Sequence, residues 1–77
     1  MKVELQLQGP LKRYNRNTDL LTMFVDAETC TVRNLLEQLR IPVASVSFIS
    51  VNDDKESLDF IVKGGEKIVV YPRIAGG

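Results

Sequence analysis

Polar and apolar residues alternate from the start of the chain, with Val3, Leu5 and Leu7 interleaved between Glu4, Gln6 and Gln8. A period of two predicts a strand with one buried face, and Gly9-Pro10 ends it. Leu11 to Asp19 is polar and basic, with Lys12, Arg13, Arg16 and two asparagines, and reads as a solvated loop. Leu20 to Val25 is apolar enough for a second strand in a hairpin with the first. Leu20-Leu21 and Met23-Phe24-Val25 blur the alternation and leave its inward face open.

Farther along, the period changes. Val32, Leu35, Leu36 and Leu39 follow at helical spacing, and Thr31 before them suits an N-cap, its hydroxyl accepting from a first-turn amide. Arg40 fits the negative end of the helix dipole, and Pro42 disfavours helical geometry at Ile41, so the helix is expected over about Val32 to Arg40. Its apolar stripe requires a sheet to cover it. Ser47 to Asn52 has strand composition, and Ser57 to Val62 adds a short edge segment. Gly64-Gly65 marks a turn before a last strand, Lys67 to Tyr71, whose β-branched run is apolar on both faces and so belongs in the middle of a sheet.

Strong strands at both ends and one helix between them predict an α+β fold: a mixed sheet of four to five strands with the helix packed across it. The first and last strands pair in parallel at its centre, which is the β-grasp arrangement. The domain is expected to occupy residues 1–72. Proline cannot donate to a sheet ladder and termini are commonly mobile, so residues 73–77 read as a flexible tail after Pro72.

Composition limits what such a domain does. With 77 residues there is one marginal core and little room for a buried catalytic pocket, which counts against an autonomous enzyme. The chain has no histidine and one cysteine, Cys30, so Ser-His-Asp and Cys-His centres and His or Cys zinc clusters are excluded. Cys30 also permits no internal disulfide; it reads as a small half-buried residue, although a thiol at a helix start can have a lowered pKa. Asn52 to Glu56 lacks the spacing and glycine of a calcium loop and reads as a solvated turn. Ten basic residues balance ten acidic ones, which makes nucleic acid an unexpected partner. No apolar run approaches the roughly 20 residues that span a bilayer, and the start of the chain lacks the apolar block of a signal peptide. A soluble, cytoplasmic protein without membrane partners is therefore expected.

The remaining chemistry lies in Arg73-Ile74-Ala75-Gly76-Gly77. A diglycine carboxylate is suited to being drawn down a narrow channel, because glycine lacks a Cβ and approaches other groups closely. An ordinary frayed terminus remains the alternative on the tail alone.

Several segments, in order, resemble the β-grasp sulfur carriers: the small subunit of molybdopterin synthase and the thiamine-biosynthesis carrier, both relatives of ubiquitin. They are Cys30-Thr31-Val32-Arg33-Asn34-Leu35-Leu36, similar to the family's "aTVreLL" helix start; Leu39-Arg40-Ile41-Pro42; Ser50-Val51-Asn52; Gly65-Glu66-Lys67-Ile68; and Tyr71-Pro72 before Ala75-Gly76-Gly77. The chain departs from the family at Lys63-Gly64-Gly65-Glu66, where D-G-D-E is usual, at Thr29, where glycine is common, and at Arg73.

The resemblance implies that a ubiquitin-activating-type adenylyltransferase uses ATP to adenylate the Gly77 carboxylate, and that a sulfur donor then replaces AMP to leave a thiocarboxylate. The chain itself would bind no cofactor or metal. Gly77 would react, Gly76 would give clearance, and Ala75, Ile74 and Arg73 would line the entry channel. The second partner would be a sulfur-accepting synthase subunit. Partner contact is expected on the sheet face away from the helix, with Phe60 and Ile74 as candidates; Phe60 reads equally well as a core aromatic. Molybdopterin synthesis is favoured over thiamine. A ubiquitin-like modifier joined through Gly77 to lysines, and an interaction module with an inert tail, remain alternatives.

Overall fold

The computed structural model describes residues 1–16, 18–25 and 30–73. Five strands form one mixed sheet in the order β2-β1-β5-β3-β4: β1 is Lys2–Leu7, β2 Leu20–Phe24, β3 Val46–Val51, β4 Asp54–Glu56 and β5 Lys67–Pro72. The first and last strands pair in parallel, and the other pairs are antiparallel. Helix α1, Val32–Gln38, covers one face.

The alternation in β1 does what its period requires. Val3, Leu5 and Leu7 are fully buried and share the core with Ile68 and Val70 of β5, Ile49 of β3, and Val32, Leu35 and Leu36 of α1. Burying each such side chain is worth about 1.5–3 kcal/mol. The inward face of β2, left open by its sequence, is set by register: Leu21 stands opposite Leu5 and Met23 opposite Val3. Leu20 and Phe24 therefore face away from the core. Val69 is buried on the other face of β5, as expected of a strand with neighbours on both sides.

Three local expectations are corrected. Leu11 to Asp19 is not simply a loop, because Gly9–Asn15 forms a 3₁₀ helix with Pro10 in its first turn and Leu11 buried. A single apolar anchor carries no periodicity, so the sequence hid it. Arg40 is not in the last helical turn: α1 ends at Gln38, and Arg40 adopts a left-handed conformation at φ 61°. Its amide bonds to Glu37 O and that of Ile41 to Leu36 O, the paired closure of a Schellman turn.

The third correction concerns the sheet edge. The edge strand is Asp54–Glu56, within the segment read as a solvated turn. Asn52 and Asp53 both have positive φ, as a two-residue hairpin turn of type I′ requires. Ser57 to Val62, expected at the edge, instead lies across the start of α1. Phe60 O accepts from Val32 N at 3.0 Å and Leu58 O from Arg33 N at 2.9 Å. Thr31 and Asn34 cap each other reciprocally, as the N-cap reading anticipated. Helix amides without internal partners must find acceptors, and this loop supplies them.

Candidate functional site: the root of the C-terminal segment and its flanks

The central position of β5 determines where Arg73, the last described residue, is held. The strand runs parallel to β1, reaches Pro72, and is fastened just beyond by Arg73 N donating to Ser45 O at 2.9 Å. Ser45 belongs to a short 3₁₀ turn, Val43–Ser45. On the other side, Gly9 opens the first 3₁₀ helix at φ +55°, and a Cβ there would stand 3.3 Å from Pro72 Cγ. A glycine thus permits the close approach that brings this helix against the end of β5.

Between these elements is an open cleft of about 260 Å³. Pro10, Leu11, Ala44 and Pro72 give it apolar walls, and Arg13 and Arg73 supply its charge. Arg13 donates from Nη2 to Tyr14 Oη at 3.2 Å and lies over the Tyr14 ring. Arg73, the one predicted tail residue within the described structure, is exposed. Ile74, Ala75, Gly76 and Gly77, and also Thr29, lie outside the described residues.

The sheet face away from α1 holds the second feature. Phe48 and Tyr71 face each other across β3 and β5 and stack with ring centroids 4.4 Å apart and planes 15° from parallel. Lys55 Nζ is 5.2 Å from the Phe48 centroid. Phe48 is 38% exposed, and on β2 Leu20 and Phe24 are 48% and 78% exposed. Phe60 stands elsewhere: it is half-buried, packed against the core beside the start of α1. The stacked pair was not legible in the sequence because it depends on the register between β3 and β5, which β4 and a long loop separate in the chain.

At the start of β5 the turn is tied together by Glu66. Its buried carboxylate accepts from Lys63 N at 2.7 Å and Gly64 N at 2.6 Å. Cys30 is buried, and its thiol donates to Thr31 O. Burial pushes the thiol pKa up, the reverse of an activated cysteine at a helix start. Among the described residues no helix is long and apolar enough to cross a membrane.

A five-stranded mixed sheet with β1 and β5 parallel at its centre and a helix across one face defines a ubiquitin-like β-grasp protein. The chain belongs to the Mut7-C ubiquitin family, whose model matches residues 2–76. Solved structures share the fold over nearly the whole length. SAMP1 from Haloferax volcanii is 18% identical with a TM-score of 0.73, covering 100% of both chains. A putative molybdopterin converting factor subunit 1 from Pyrococcus furiosus is 20% identical with a TM-score of 0.73, over 96% of this chain and 99% of that one. A Helicobacter pylori chain, from a complex of subunits 1 and 2 of molybdopterin-converting factor, is 24% identical with a TM-score of 0.62, covering 100% of both. No curated protein sequence matches significantly.

Proposed function

We propose that this chain is a sulfur carrier that works through the carboxylate of Gly77, in molybdopterin biosynthesis in preference to thiamine biosynthesis. The observation that carries this reading is the position of Gly76-Gly77 a few residues beyond the end of the central strand, in a fold shared with two molybdopterin-converting-factor chains. A ubiquitin-activating-type adenylyltransferase would join the carboxylate to AMP, releasing pyrophosphate from ATP. A sulfur donor would then displace AMP, leaving a thiocarboxylate. ATP belongs to the activating enzyme, and the chain serves as co-substrate rather than catalyst. Gly76 gives clearance in the enzyme's channel, with Ala75, Ile74 and Arg73 following.

The complex of subunits in the H. pylori structure supports a synthase subunit as the second partner. The partly exposed Phe48–Tyr71 stack and exposed Phe24 offer an apolar surface of the kind that marks interaction sites, and half-buried Phe60, apart from that face beside the start of α1, stays a separate candidate. Likeness to a protein named small archaeal modifier protein 1 supports a second reading, in which Gly77 forms an isopeptide bond with lysines of other proteins.

The deciding experiment is intact mass of the protein from its native source, before and after incubation with the activating enzyme, ATP and a sulfur donor. Replacement of one oxygen by sulfur at Gly77 is expected, and it also requires that Gly77 end the chain. Diglycine remnants on lysines of other proteins, without that replacement, would move the assignment to a modifier.

A further inference from the structure

We propose that the cleft between the first 3₁₀ helix and the end of β5 docks an acidic, partly apolar peptide segment of a protein partner, with a carboxylate held between Arg13 and Arg73. The proposal deepens the carrier reading and rests on it for the partner's role, since Arg73, which lines the cleft, directly precedes Ile74 to Gly77 in the chain.

Charge distinguishes this cleft. The chain is balanced overall, yet the 3₁₀ helix carries Lys12 and Arg13 with Arg16 as its C-cap and has no acidic residue in its first turn. None of the described residues lining the cleft is acidic. Among the described residues the single ion pair is Arg33 with Asp59, so neither cleft arginine is neutralised within them. The acids of the β3–β4 hairpin, Asp53, Asp54 and Glu56, sit at the other end of β3. That six-residue strand spans roughly 20 Å, well beyond the screening length of about 8 Å at physiological salt. The cations at the cleft therefore present a field that the hairpin acids do not cancel.

The walls narrow the ligand further. Pro10, Leu11, Ala44 and Pro72 suit an aliphatic side chain, whereas a free inorganic anion would gain nothing from them. Base stacking needs exposed aromatic platforms, and among the described residues no aromatic lines the cleft. A peptide with carboxylates beside apolar side chains matches both halves of the surface. Arg13 is already oriented by its bond to Tyr14 and its seat on that ring, so less side-chain freedom is lost when it engages a carboxylate. Arg73 is fastened through its amide to Ser45 O, which holds its backbone at the cleft. Exposed ion pairs are individually weak, so the site contributes specificity and association rate more than raw affinity.

The test is titration of the ¹⁵N-labelled full chain with a short acetylated peptide of alternating Leu and Glu, read by amide shifts. Shifts confined to Leu11, Arg13, Ser45 and Arg73, and an affinity about tenfold weaker in Arg13→Glu, are expected. Arg13 is exposed, so this variant should keep the wild-type spectrum elsewhere. Shifts on another surface, equal binding by Arg13→Glu, or equal binding of inorganic phosphate or oligouridylate would overturn the proposal. Thiocarboxylate formation without cleft binding would sink this inference alone. Cleft binding without thiocarboxylate would sink the carrier reading and leave the site standing.

Discussion

Single residues carry much of the geometry around β5. Gly64 and Gly65 both have positive φ, but only Gly64 is also crowded: a Cβ there would lie 2.9 Å from Met1 Cβ, whereas at Gly65 nothing lies within 4 Å. Backbone strain of this kind costs a side chain about 1–2 kcal/mol, and overpacking adds about 1–3 kcal/mol. Gly64→Ala should therefore destabilise the domain more than Gly65→Ala in urea unfolding; equal losses would show that the Met1 contact yields freely. The glycine pair was legible as a turn. The partner that makes one of them less replaceable was not, because Met1 is far away in sequence. Cys30 shows a milder form of the same limit: it was read as a small half-buried residue, and the packed core buries it further and raises its thiol pKa.

Among the elements, the helix was the most legible and its end the least. Thr31 and the Val32, Leu35, Leu36 spacing fixed its start and buried face. The stop is set by Arg40 turning left-handed so that Ile41 can bury beside Leu36, a closure in which glycine is the usual residue. Arg40→Gly should thus raise stability by about 0.5–1 kcal/mol, since glycine relieves left-handed strain while losing some unfolded-state freedom. Chemical denaturation would measure it; a loss of stability would mean that Arg40 makes contacts worth more than the strain. The seven-residue helix is too short to persist alone, which explains its dependence on the Ser57 to Val62 loop. That loop was misassigned to the sheet because its composition suits a strand and its acceptors are needed elsewhere.

At the scale of the molecule, stability should be graded by sheet order. β1 and β5 are the central pair, whereas β4 is a three-residue edge with every residue exposed. Native-state hydrogen exchange should find β5 amides from Ile68 to Val70 opening only with global unfolding, and β4 amides opening locally at much lower free energy. Comparable protection in the two strands would contradict this ranking. Local pattern was enough to locate β1, β2, β3 and β5 and the buried face of the helix, because periodicity is a local property that the backbone geometry converts directly into faces. The sequence also carried the diglycine and the segments that resemble sulfur carriers. Tertiary structure alone decided the facing of β2, the edge strand, the Phe48–Tyr71 stack and the Arg13–Arg73 cleft. Each of these depends on register or docking between segments distant in the chain, where a shift of one residue would exchange one face for the other.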